Sequence, residues 1–346
     1  MAQHEITKPM PVPGKDGRIT EPGYARTEIL VYTRENMKAP WFRKKEWDYY
    51  LFTTDKFAVA FTISDLGYVG LLSASFIDFE KGTEHTESEI GILPRGKKYG
   101  LGTRVKDAHA ECHTKRLDLV FDNEGDHRKI SCAFKNFDGG KDLYAEMKVY
   151  EPEMEAMYIA TPWKEKETAF YYNCKRNCLE AEGTVTYGDR TEVLYRESCL
   201  GCLDWGRGIW TYDNTWYWGT GSGRIDGAPF GFNLGYGFSD RSEASENCLY
   251  YGSRIHKLSE VEFVIPKTAD GRNDYLKPWS IRSDDGAFTG TFVPIIDRSA
   301  CMNFGIIVSD QHQVFGRMTG SARLENGEEI GFTDFICALE VVRNKY

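Results

Sequence analysis

Between Cys199 and Gly221 the sequence gathers four tryptophans (Trp205, Trp210, Trp216 and Trp218), a carboxylate (Asp204) and a guanidinium (Arg207). Indoles bury large apolar areas, and their ring faces attract cations. A carboxylate and a guanidinium among them are costly to bury unless they pair. Two arrangements follow: a tryptophan-rich core containing an Asp204–Arg207 ion pair, or an aromatic-walled pocket with that pair at its floor. On a strand, Trp216 and Trp218 share one face while Tyr217 points away. Farther along, Asn233, Tyr236, Glu246 and Asn247 lie in similarly apolar surroundings. Glu246 offers a second carboxylate beside Asp204. One would stay protonated through burial and the other ionised by Arg207, giving a general acid and a general base without a metal. The candidate catalytic residues are therefore Asp204, Glu246 and Arg207. The candidate ligand-binding residues are Trp205, Trp210, Trp216, Trp218, Asn233, Asn247 and Tyr236.

Other constellations carry less. Cys174 and Cys178, with Cys199 and Cys202, offer four thiolates for a structural zinc. The first pair is loosely spaced and the second enters a strand, so ordinary reduced thiols are the simpler reading. No βαβ setting supports a redox role for Cys199 and Cys202. His109, Glu111 and His113 would share a helical face, but the residues around them read as a solvated segment. Gly219 to Gly223 looks like a phosphate loop yet lacks the helix and the Lys-Ser/Thr pair such a cradle needs. There is no Gly-x-Ser-x-Gly elbow for a serine nucleophile and no dinucleotide fingerprint, so the reading calls for no cofactor.

The elements that must position these residues read as strands. The chain of 346 residues holds 34 glycines with 8 Trp, 20 Tyr and 20 Phe. Aromatics suit pleated, half-buried surfaces and glycine punctuates them. Tyr49–Thr54 and Phe57–Ile63 read as strands joined at Asp55-Lys56, and Asp65-Leu66-Gly67 turns into Tyr68–Phe79. Arg116–Phe121, Ile130–Phe137 and Leu143–Tyr150 continue the rhythm. Asp226-Gly227, Asp270-Gly271, Asp285-Gly286 and Asn326-Gly327 sit between alternating runs as hairpin turns do. In Phe230–Phe238 glycines nearly alternate with large residues, which leaves one strand face bare for another strand or a ligand. Helix is expected only for a turn or two around Glu35–Trp47. The pattern predicts an all-β protein of antiparallel barrels or sandwiches. Length alone favours two domains. A break between Gly183 and Glu197 divides them into 1–190 and 191–346, the second carrying the Asp-Trp-Gly-Arg-Gly and Trp-x-Trp motifs.

A net charge of −9 disfavours nucleic acid as a partner. No stretch approaches the length of a membrane span. Residues 1–5 do not begin a secretory signal, and nine cysteines then read as reduced thiols, so a cytoplasmic location is expected. The sequence is compatible with a homodimer.

Leu203-Asp204-Trp205-Gly206-Arg207-Gly208, Trp216-Tyr217-Trp218, Asn233-Leu234-Gly235 and Glu246-Asn247 resemble the bacterial domain of unknown function 2804 family. Lys257-Leu258, Pro278-Trp279, Phe292-Val293-Pro294 and Gln313-Val314-Phe315-Gly316 do so as well. The likeness spans about 20–346 and weakens at the end. There Cys337 stands in place of the family's glycine, Glu340 remains, and the closing residues differ. An Asp-aromatic motif leading into a Trp-x-Trp strand is more distantly similar to the carotenoid hydratase and lipocalin-like (calycin) group. That resemblance implies two lipocalin-like barrels packed together, with a ligand cavity between or within them. It supplies no reaction.

The resulting expectation is a cofactor-independent enzyme of hydratase, isomerase or cyclase type on an apolar small molecule. A protonated Asp204 or Glu246 would donate to an alkene or enone. Trp205, Trp216 and Trp218 would each stabilise the developing cation by about 1–2 kcal/mol. Arg207 would keep the other carboxylate ionised, or anchor a substrate oxygen. Asn233 would position a water or carbonyl. The rival is a carrier of a lipid-like ligand, with the same pocket and no chemistry. A third reading, a filled core, differs by having no cavity near Trp216 and Trp218.

Overall fold

Strand Lys141–Tyr150 buries Leu143, Ala145, Met147 and Val149 and turns the residues between them outward, the alternation of a sheet with one wet face. Strands Lys44–Thr53, Phe57–Asp65 and Leu200–Ile209 behave otherwise, being buried along nearly their whole length on both faces. Something must cover their second face. That cover is a second sheet.

The computed structural model describes residues 3–106, 109–303, 305 and 308–345. Met1 and Ala2, in the segment read for a signal, and Tyr346, at the divergent chain end, lie outside the described residues. Among the described residues the strands form a sheet of 13, a sheet of 9 and a two-stranded parallel pair of Met10–Val12 with Leu30–Tyr32. The first sheet runs from edge strand Thr83–Ile92 through Val69–Asp78, Phe57–Asp65 and Lys44–Thr53 to Leu200–Ile209. It continues through Lys166–Tyr187, Lys141–Tyr150, Arg128–Asp138 and Leu117–Asn123 to Ala110–His113. In the second, Asp213–Ile225 lies between Ala228–Tyr236 and Glu329–Lys345, and Val308–Arg323 and Phe288–Asn303 follow. Both sheets are antiparallel and curl into barrel-like halves, as expected. Among the described residues helix is limited to single 3-10 turns at Arg34–Asn36 and Trp41–Arg43.

Each half has its own core. Tyr50, Phe61, Trp205 and Tyr172 belong to the first, and Phe230, Phe288, Trp279 and Phe332 to the second. A third cluster lies between the sheets, where Tyr49, Leu51, Ala60 and Cys202 meet Trp218, Phe315, Ile336 and Ala338. The chain crosses from one sheet to the other around Trp210–Tyr212. Strand Leu200–Ile209, with its Asp-Trp-Gly-Arg-Gly motif, therefore belongs to the first sheet, not to the second unit beginning at 191. The expected break fails because Thr184–Arg190 closes a hairpin: Lys166–Tyr187 turns straight back into Arg190–Leu194. Three of the four Asp/Asn-Gly turns join neighbouring strands. At Asp226-Gly227 both residues have positive φ, 49° and 82°, as such two-residue turns require. Asp270-Gly271 turns only a loop held by the Lys267–Asn273 bridge.

The bare face of Ala228–Tyr236 meets protein. A Cβ on Gly231 would approach Cys178 Sγ to 3.0 Å and Asn177 Cβ to 3.2 Å. Asn177 and Cys178 form a bulge in the first sheet's longest strand, where the register shifts between Arg176 and Leu179. From it Asn177 Nδ2 donates to Thr220 Oγ1, Gly221 O and Phe232 O, and Cys178 N donates to Ser222 Oγ. A kink in one sheet is thereby keyed into the other.

A candidate active site between the sheets

Strand parity sorts the motif residues. In Leu200–Ile209, Asp204 shares a face with Cys202 and Gly206 and looks toward the second sheet, whereas Trp205 and Arg207 look into the first core. Arg207 is fully buried there. It pairs with Asp48 (Nη1–Oδ1 2.9 Å) and donates to the carbonyls of Trp47, Gly206 and Gly102. Its guanidinium lies 3.8 Å from the Trp205 ring centroid, and Trp205 packs edge-on to Tyr32 and Tyr172. The expected Asp204–Arg207 pair thus does not form, because three residues along a strand is an odd step. Arg207 and Trp205 are core residues. Tyr236 also leaves the site. It stacks on Tyr217 at 4.5 Å and accepts from Phe263 N, on the second barrel's inner face.

Asp204 takes another cation. Lys175, opposite it on the neighbouring strand, places Nζ 2.8 Å from Asp204 Oδ2 and 3.9 Å from Glu246 Oε1. The two carboxylates therefore converge through a lysine. Burial alone would lower the Lys175 pKa, but the charges of Asp204 and Glu246 outweigh it and hold the ammonium firmly protonated. Its charge also lies 4.7 Å from the Trp218 ring centroid. Asp204 Oδ1 accepts from Asn173 Nδ2 at 2.6 Å and Trp47 Nε1 at 3.2 Å. Glu246 Oε2 accepts from Tyr171 Oη at 2.7 Å. Burial, then the Glu246 charge, raises that phenol's pKa well above its ordinary value.

Two glycines make these approaches possible. A Cβ on Gly206 would lie 2.0 Å from the Trp47 ring, and one on Gly235 would lie 2.1 Å from Glu246 Oε1. Asn233 accepts from Trp218 Nε1 at 2.8 Å and donates to Glu246 O at 3.0 Å, fixing the loop that carries Glu246. Asn247 serves the same loop, accepting from Gly235 N and donating to Ser259 O.

Trp216 shares its face with Trp218, and its Nε1 donates to Glu340 Oε1 at 2.7 Å. Glu340 Oε2 accepts from Gln313 Nε2 at 3.0 Å, and Gln313 Oε1 accepts from Tyr49 Oη. Burial raises the Glu340 pKa, opposed by the Trp216 hydrogen bond and by Arg298. Each half-buried carboxylate thus holds one indole N–H: Asp204 that of Trp47, and Glu340 that of Trp216. Trp210 links the two indoles edge-on, at 6.0 Å from Trp47 and 5.4 Å from Trp216. Trp47, Asp204, Trp216 and Glu340 keep partial exposure where this seam reaches the surface.

Lys175, Asn173, Trp47 and Tyr171 escape sequence reasoning because they arrive from strands distant in the chain. Glu340 carried a signal in the family-like chain end. Two surface concavities, of about 420 and 310 Å3, lie elsewhere. Lys164, Asp240, Arg241, Ser245 and Glu260 help to line the first, and Arg26, Glu155 and Arg176 the second. Neither has a tryptophan in its wall, so the pocket expected beside Trp216 and Trp218 is not one of these two. Cys174, Cys178, Cys199 and Cys202 are buried free thiols. Burial pushes Cys174 up to about 11, and Cys199 and Cys202 up to about 12. His109 precedes and His113 ends strand Ala110–His113, so they lie on no helix, and they bond to Asp122 and Asp118. No group of three or more His, Cys, Asp or Glu among the described residues is disposed to hold a metal. Gly219 to Gly223 lie inside strand Asp213–Ile225. Among the described residues no helix is long and apolar enough to cross a membrane.

The two-barrel arrangement recurs in solved structures. CghA, solved with Sch210972, is 12% identical, with a TM-score of 0.56 over 88% of this chain and 89% of that one. A Nitrosomonas europaea protein assigned as an AttH is 12% identical, with a TM-score of 0.56 over 89% and 95%. Kievitone hydratase from Nectria haematococca is 12% identical, with a TM-score of 0.52 over 87% and 88%. At such identities the likeness is one of fold. No curated protein matches the sequence. A family model described as a domain of unknown function, DUF2804, matches residues 3–346.

Proposed function

This chain belongs to the DUF2804 family, and from that premise we propose that it is a cofactor-independent acid/base enzyme of hydratase, isomerase or cyclase type. Its substrate is an apolar small molecule that enters the seam at Trp47 and Trp216. The observation that carries this reading is the pair of unlike carboxyls at the seam's mouth. Burial favours the protonated form of Glu340, while Asp204 lies 2.8 Å from the Lys175 ammonium. Both Glu340 oxygens accept hydrogen bonds, from Trp216 Nε1 and Gln313 Nε2, which hold the carboxyl in place.

In the hydration form of the reaction, Glu340 gives its proton to an alkene carbon, whose π electrons form the new C–H bond. The cation left on the neighbouring carbon faces the Trp47, Trp210 and Trp216 rings. Water adds to that carbon and loses a proton to Asp204. One water is added overall. Asp204 then releases its proton and Glu340 regains one through the partly exposed mouth. In an isomerisation or cyclisation, Asp204 removes a proton from carbon instead of from water. Kievitone hydratase, named for a hydration, and CghA, solved with Sch210972, share the fold. The nine free thiols suit a reducing cytoplasm.

The test is to incubate the purified chain with a metabolite extract of its host and follow species that gain one water or change retention at constant mass. Glu340→Gln and Asp204→Asn should keep the captured ligand and lose conversion by about a hundredfold or more. Wild-type protein that retains a ligand without converting it would make the chain a carrier and overturn the enzyme reading.

A further inference from the structure

Behind the mouth of the seam, two hydrogen-bond acceptors are left over. Asn173 Oδ1 and Glu246 Oε1 have no hydrogen-bond partner among the described residues, although Asn173 is 0% and Glu246 3% exposed. Leaving such atoms unpaired away from water is costly, and more so for a charged group. Neither can be rescued by relabelling or by a small rotation. The Asn173 amide is fixed because its Nδ2 donates to Asp204 Oδ1 at 2.6 Å, and turning it over would set oxygen against a carboxylate. Glu246 is fixed by Tyr171 on its other oxygen.

The nearby indole donors serve other acceptors, and the Lys175 ammonium lies beyond hydrogen-bond reach of Glu246 Oε1. Lys175 is drawn to Asp204 and stays 3.9 Å from Glu246 Oε1. Trp47 serves Asp204, Trp216 serves Glu340 and Trp218 serves Asn233. Tyr171, Asn173 and Lys175 alternate on one strand face, so Asn173 projects between the two side chains that engage Glu246. Trp210 Nε1 also lacks a hydrogen-bond partner among the described residues, in a side chain 5% exposed whose ring lies 5.8 Å from that of Tyr171. Two acceptors and one donor without hydrogen-bond partners among the described residues are therefore buried around Tyr171.

We propose that Asn173 Oδ1 and Glu246 Oε1 form the polar end of the substrate subsite, selecting a molecule with an O–H or N–H donor on an otherwise apolar body. This rests on the intersheet site being the substrate site. A phenol, an enol or a lactam has the required donor, and a carbonyl beside it would take the Trp210 N–H. A plain hydrocarbon, or an ether of the same shape, leaves both acceptors unpaired and is discriminated against.

Calorimetric titration of the full chain with 2-naphthol and with 2-methoxynaphthalene, which replaces the donor by a methyl ether, tests this. Wild-type protein should bind 2-naphthol tighter by about tenfold or more. In Glu246→Gln and in Asn173→Ala that preference should shrink toward unity, with far-UV circular dichroism showing retained strand content. Equal affinity of wild-type protein for both probes overturns the donor subsite and leaves the apolar seam standing. Binding of neither probe overturns the seam as a small-molecule site, and the subsite with it. A preference that survives in both folded variants assigns the donor to other atoms and overturns this inference. The wild-type comparison requires no variant to fold.

Discussion

At the scale of single residues, the deciding rule is the two-residue period of a strand. It separates Asp204 from Arg207 and joins Asp204 to Lys175. The sequence made Asp204 and Glu246 conspicuous, since both carboxyls lie in apolar surroundings, and the structure brings both to one lysine. It hid Lys175 itself, whose partner is apparent only once the register with Leu200–Ile209 is known. Breaking this pair should be costly. Asp204→Asn leaves a buried ammonium with one carboxylate at 3.9 Å, and should lose about 3 kcal/mol in chemical denaturation. Adding Lys175→Met should recover at least half of that loss. A double variant no more stable than the single one would show that the lysine charge is not what is being stabilised. Glu340 makes a pH prediction. Its pKa is raised on folding, so its stabilising contribution is full below the unfolded value of about 4.3 and is lost as pH rises through the folded value. Against Glu340→Gln, wild-type unfolding free energy should therefore decline from pH about 4 upward. A difference that grows with pH would mean that Glu340 is ionised in the fold.

At the scale of elements, the strands and most turns were legible because aromatic alternation and Asp-Gly or Asn-Gly pairs are local signals. The bulge at Asn177–Cys178 was not, since nothing local distinguishes it from the rest of a 22-residue strand. Its reason is nonlocal: it fits the glycine-bare face of Ala228–Tyr236, which the sequence did single out. Cys178 stands at φ +60°, a conformation side chains seldom adopt, and four hydrogen bonds into the second sheet offset that strain. The same bulge follows Lys175 by two residues and so sets its approach to Trp218. Asn177→Ala removes the donor to three buried acceptors and should cost about 2–3 kcal/mol with little change in strand content. It should also detach the sheets before either unfolds, splitting a single denaturation transition followed by tryptophan fluorescence into two. A single transition at the wild-type midpoint would leave the bulge with no part in joining the sheets.

At the scale of the whole molecule, the two halves are not consecutive pieces of chain divided where composition changes. Leu200–Ile209 lies past the hairpin that resembles a domain end, yet it is the strand between Lys44–Thr53 and Lys166–Tyr187. Without it the first sheet is cut through its middle, and two long strands are left with open edges. Fragment 1–190 should therefore be insoluble or aggregate on size exclusion. Fragment 1–211 keeps every strand of the first sheet but bares Tyr49, Leu51 and Cys202, which the second sheet covers. Mixed with 212–346 it should form a one-to-one complex that restores the fluorescence of the buried intersheet tryptophans, whereas 1–190 with 191–346 should not. A soluble, folded 1–190 would contradict the sheet order itself. The site would fall with it, because Asp204 meets Lys175 only if Leu200–Ile209 is inserted beside the strand that carries the lysine.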